Sequence, residues 1–118
     1  MNSAKRPEVR LRHILDQIDG MAEAVEGRTY DEIAGSFLFL RAIERAVQIV
    51  SEAAKELPED LRAAYPEAGW KPIIRIGNLL RHEYYRIDPR DMWEIATVHF
   101  PRLRPIVEAM LQAVVRDS

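Results

Sequence analysis

Cysteine is absent from the chain, which excludes disulfides, thiol nucleophiles and cysteine-ligated metal sites. The three histidines, His13, His82 and His99, lack metal-ligand spacing, so no metal and no other cofactor is expected. No apolar run approaches the roughly 20 residues that span a bilayer, and MNSAKRPEVR has no apolar signal-peptide core. A cytoplasmic protein without a membrane partner is therefore expected. Seventeen basic residues are balanced by nineteen acidic ones, for a formal charge of −2, so a general basic coat for nucleic acid is missing. Strand-like alternation, internal repeats and low-complexity segments are missing too.

What remains is helical. With 118 residues, 47% of them apolar, the chain is long enough to bury one core, and it reads as a single domain over 1–118 with a loose tail at 1–7. From Val9, Leu11, Ile14, Leu15, Ile18, Met21, Ala22 and Val25 recur at three and four, a helix closed by Gly27. Thr29 to Glu32 fits a capping box, with an interruption at Gly35 and a second cap at Ser36. The helix from Phe37 to Leu57 has an apolar face covering half its circumference or more. It needs two apolar neighbours, either both from this chain or one from another subunit. Pro58 ends it, and Glu59 to Tyr65 makes at most a short turn. A helix begins near Trp70, and Asp88-Pro89 starts the last one, which Pro101 and Pro105 should kink or divide. The expected fold is all-α, an up-and-down bundle of four to five helices.

The polar chemistry concentrates in Trp70 to Asp88, WKPIIRIGNLLRHEYYRID. At about 100° per residue, Lys71, Arg75, Asn78 and His82 fall within about 60° of each other. Ile73, Ile76, Leu80 and, if the helix persists, Tyr84 take the opposite side. Gly77 also lies there, at a cost of roughly 1 kcal/mol in helix propensity that points to a close helix approach. Locally Lys71, Arg75, Arg81, Arg86 and Arg90 outnumber Glu83 and Asp88, enough to hold a phosphate. A histidine can move a proton, an arginine can grip phosphate oxygens and an asparagine can orient either. That is a minimal kit for metal-free RNA cleavage by the ribose 2′-hydroxyl, and two copies across a two-fold axis would supply both an acid and a base. Spacing alone is weak support, since most polar helix stripes are solvated surface. Glu52 either orients an arginine of the cleft or is an ordinary solvated glutamate. Tyr85, Trp70 and Trp93 read as packing residues, His13 as a surface or core-edge residue, and His99, among apolar residues and prolines, as having no role.

Arg75, six residues, then His82-Glu83-Tyr84 resembles the Arg-x(4 to 6)-His-x-Tyr signature of the HepT family, within the HEPN superfamily of small helical ribonucleases. AVQIVSEAAKELPEDLR (46 to 62), Trp70 and Trp93 extend the resemblance over most of the chain. It implies a HEPN-like helical homodimer with two motif copies in a cleft, and a ribonuclease toxin paired with an MntA-type nucleotidyltransferase antitoxin that transfers AMP to the motif tyrosine. By position the catalytic residues would be Arg75, Asn78 and His82, the AMP acceptor Tyr84, and the RNA-binding cations Lys71, Arg81 and Arg86. Many members carry the arginine immediately before the asparagine, where this chain has Gly77. Arg75 or Arg81 takes its place, or the nuclease is weak, and the shared face favours Arg75. The alternatives are a non-catalytic, nucleotide-binding or substrate-recognition subunit of a nucleotidyltransferase, and a plain helical dimerisation module.

Overall fold

Local capping decides where the helices begin. The computed structural model describes residues 6–117, and in it Pro7 opens α1 (Pro7–Val25), where a missing N–H breaks no intrahelical bond. The helix thus takes in the end of the expected tail, whose residues 1–5 lie outside the described ones. Thr29 then caps α2 (Tyr30–Ala34): its hydroxyl accepts the Glu32 N–H at 3.3 Å while the Glu32 carboxylate accepts the Thr29 N–H at 3.0 Å. The Thr29 N–H, then the Thr29 hydroxyl donating to the same carboxylate oxygen at 3.2 Å, hold the Glu32 carboxyl below the usual range. Ser36 accepts the Phe39 N–H at 3.2 Å and starts α3 (Phe37–Glu56).

Pro58 precedes a short α4 (Glu59–Ala63), and a 3-10 turn at Pro66–Ala68 leads into α5 (Trp70–His82). Asp88 caps α6 (Pro89–Glu94) by accepting the Arg90 N–H at 2.9 Å. A π turn at Ile95–His99 joins α6 to α7 (Phe100–Asp117). The expected division at the prolines is displaced, because α7 contains Pro105 and the irregular turn precedes Pro101. Pro101 has no N–H for the carbonyl one turn back, which belongs to Thr97 inside the π turn. The described residues contain no strand.

α3 is the central element. α1 packs on it and so does α5, while α7 lies against α1, and α2 and α6 touch the remaining side. Ile43, Ala46, Val47, Val50, Ala53 and Ala54 of α3 are buried with Leu11, Ile14 and Ile18 of α1 and Val107 and Met110 of α7. Each large side chain among them contributes roughly 1.5 to 3 kcal/mol. The wide apolar face of α3 therefore finds both neighbours within its own chain. Only its first residues, Phe37 and Leu38, stay largely exposed. No described helix is long and apolar enough to cross a membrane.

One ion pair ties the ends of the chain together. Arg104 of α7 donates to both Asp19 oxygens of α1, at 2.7 and 3.2 Å, and to Glu108 at 2.6 Å. The hydrogen bond from Arg104, then its charge, holds the Asp19 carboxyl below its ordinary value. A depressed folded-state value means the tie stabilises fully above the unfolded value of about 4. Its contribution is lost as pH falls through the folded value. Asp19→Asn is expected to lower the melting temperature slightly at neutral pH and to flatten its decline below about pH 5. Melting curves across acid pH check this; an unchanged slope would contradict it.

Candidate active site on α5

A single close contact sets which way α5 faces. A Cβ at Gly77 would lie 2.6 Å from Ser51 Cβ of α3 and nearer still to its Oγ. Ser51, 3% exposed, fills the notch and donates its hydroxyl to the Ile74 carbonyl at 3.0 Å. Bulk at position 77 and this approach exclude one another. The start of α5 is fixed separately: Trp70 is buried, and its indole N–H is shared between the carbonyls of Arg62 and Tyr65, both at 3.0 Å. Gly69 enters the helix at φ 71°, a left-handed conformation suited to glycine.

With Gly77 turned inward, Arg75, Asn78 and His82 turn outward along roughly 10 Å of helix axis. They line one hollow of about 520 Å³ with Leu79, Glu83 and Arg86. Arg75 makes no ion pair or hydrogen bond through its guanidinium among the described residues, whereas Arg86 is held by Glu83 at 3.0 Å. Lys71 and Arg81 are exposed and stand outside the hollow.

The helix does not persist to Tyr84. The Glu83 N–H closes the last turn on the Leu79 carbonyl at 2.7 Å, and a 3-10 turn, Tyr84–Arg86, follows. Tyr84 and Tyr85 are each 73% exposed, so neither packs inward, and Tyr85 departs from the packing role expected of it. Their rings meet edge to face, with centroids 5.9 Å apart.

Glu52 is half-buried and forms no ion pair among the described residues. Trp93 packs edge to face with Tyr30, and His13 is exposed. His99, expected among apolar residues, instead lies 3.9 Å from the Glu94 carboxylate. It borders a second concavity of about 510 Å³, largely apolar, between α5, the π turn and α7. Arg75 and Leu79 line both concavities. The described residues include no group of three or more His, Asp or Glu placed to hold a metal ion. Sequence reasoning missed Ser51 and Glu83. A serine on the buried stripe of α3, between Val47 and Ala54, was the available signal for the first.

An all-helical fold that turns a proton carrier, an amide and an unpaired guanidinium toward one hollow defines a class of small helical protein fit for phosphodiester chemistry. Residues 14–110 match the Ribonuclease HepT-like family, and the chain belongs to that family. A candidate RNase of Caldanaerobacter subterraneus subsp. tengcongensis is 32% identical over 108 residues, 92% of this chain and 96% of its own. One from Methanocaldococcus jannaschii is 25% identical over 104 residues, covering 88% of this chain and 86% of its own. A candidate ribonuclease HepT of Thermococcus cleftensis is 33% identical over 63 residues, 53% of this chain and 57% of its own. No solved structure gives a significant match.

The Ser51 contact makes opposite predictions for two helical glycines. Gly77→Ala should destabilise by about 1 to 3 kcal/mol despite its better helix propensity, because Ser51 or the helix must shift. Gly20→Ala, with nothing within 4 Å of the new methyl, should stabilise by about 0.5 to 1 kcal/mol. Urea denaturation of both variants measures the difference, and equal effects would contradict the contact.

Proposed function

We propose that this protein is a metal-independent endoribonuclease toxin acting as a cytoplasmic homodimer. The observation that carries the reading is the convergence of Arg75, Asn78 and His82 on one hollow. In the proposed reaction the ribose 2′-hydroxyl attacks the adjacent phosphorus while His82 of one copy takes its proton. Arg75 offsets the charge that develops on the phosphate oxygens, and Asn78 orients the phosphate or the imidazole. The bond to the 5′-oxygen breaks, and His82 of the second copy protonates that leaving group. Lys71, Arg81 and Arg86 hold the flanking phosphates.

The dimer is supported by the apolar concavity that shares Arg75 and Leu79 with the hollow, a surface that a second copy can cover next to the motif. We further propose that an MntA-type nucleotidyltransferase is the antitoxin and transfers AMP to Tyr84, whose exposure supports access by an enzyme. An adenylate there adds negative charge and bulk beside the hollow and repels RNA, as a phosphate group would.

RNA cleavage in the presence of a chelator, by wild type and His82→Ala matched for folding and dimer content, tests the nuclease. Loss of about 100-fold or more in the variant is expected. A wild type that leaves RNA intact would favour the non-catalytic subunit of a nucleotidyltransferase instead. Incubation with the nucleotidyltransferase and ATP should add adenylate to wild type but not to Tyr84→Phe, as read by mass spectrometry. Equal labelling of both would remove Tyr84 as the acceptor.

A further inference from the structure

Of the four tyrosines, two are packed and two are not. Tyr30 lies beneath Arg90, whose guanidinium carbon is 4.1 Å from the ring centroid, and edge to face with Trp93. Tyr65 is packed against the core. Tyr84 and Tyr85 are the exposed pair, and both sit in the turn that continues the site helix past His82. Adjacent exposed rings beside the hollow leave apolar surface that nothing among the described residues covers.

The turn is not loose. Its backbone closes through the Arg86 N–H on the Glu83 carbonyl at 2.9 Å, the Arg86 side chain returns to Glu83, and Ile87 packs against the core. At an interplanar angle of 82°, a flat group lying parallel to one ring stands across the other, so the pair offers one stacking face at a time. From Lys71 to Arg86, Lys71, Arg75, Arg81 and Arg86 stand against a single acid, Glu83, a local cationic excess in a chain of net charge −2. Exposed rings beside cations, of which Arg81 has no carboxylate partner among the described residues, are the arrangement that holds single-stranded nucleic acid, the cations taking the backbone and the ring a base. An acidic protein surface would be drawn by the same cations but has no need of a flat face.

We infer that Tyr85 is the stacking platform for an unpaired base beside the scissile phosphate, with Tyr84 supporting it edge-on. The inference rests on the ribonuclease reading and adds a specificity residue to it: the site selects RNA whose bases are free to turn outward. A base held in a duplex is already stacked and cannot offer its face to the ring.

Binding of a short fluorescent RNA, single-stranded and as its duplex, tests this in the non-cleaving His82→Ala background. Adding Tyr85→Ala should weaken single-strand binding by about 5- to 150-fold and duplex binding by less than about twofold. Adding Tyr85→Phe, which keeps the ring, should leave both within about twofold. Unchanged single-strand affinity with Tyr85→Ala, or equal losses on both RNA forms, would overturn the stacking role. So would a Tyr85→Ala variant that binds RNA normally but loses the nucleotidyltransferase, since the ring would then be a protein contact. If wild type neither cleaves nor binds RNA, the ribonuclease reading falls and the inference with it. If wild type cleaves and only the Tyr85 result fails, the inference falls alone.

Discussion

The contact between Ser51 and Gly77 is the constraint on which the rest of the site depends. A helix can rotate about its axis without losing its own hydrogen bonds, so something outside α5 must choose its facing. The serine hydroxyl seated in the glycine notch makes that choice, and its bond to Ile74 removes the cost of burying it. Once Gly77 faces α3, residues two before, one after and five after it face away. An arginine at 77 would point into α3. In this chain the outward stripe leaves Arg75 as the cation of α5 that shares the hollow with His82, beside the Glu83-bound Arg86 of the following turn.

Pairing then separates structural arginines from available ones. Arg12, Arg41 and Arg104 are occupied by Glu8, Glu44 and the Asp19 and Glu108 carboxylates. Arg75 and Arg81 have no such partner among the described residues, and a guanidinium without a carboxylate can accept a phosphate without first giving up a bond. Arg86 is intermediate, because Glu83 must share or release it when an anion arrives. The even balance of charge over the whole chain thus conceals a local imbalance at α5.

Much of the fold was legible because its signals are local. Thr29 with Glu32, Ser36, and Asp88 with Pro89 each act within one helical turn, and each starts a helix where its residue type requires. The stripe of Arg75, Asn78 and His82 was legible for the same reason. The partner of Gly77 was not, since the glycine announces a close approach without naming Ser51 on another helix. Tyr85 was misjudged as a packing residue, and the inward side held for Tyr84 only if the helix persisted, because periodicity cannot show that the helix stops at His82, and beyond that point the wheel no longer assigns a face. The prolines of the last helix were read as breaks, whereas the π turn absorbs Pro101 and the chain stays helical.

The chain's own histidines report whether the outward stripe of α5 is the RNA site. His13 lies on α1, His82 on the stripe and His99 at the apolar concavity, all three exposed. A 2′-deoxy oligonucleotide, which lacks the attacking hydroxyl, can be titrated into the protein while the three imidazole resonances are followed by NMR. His82 should shift with saturation while His13 and His99 stay in place. A shift of His99 with His82 unmoved would contradict it and move the binding site to the groove beside α7.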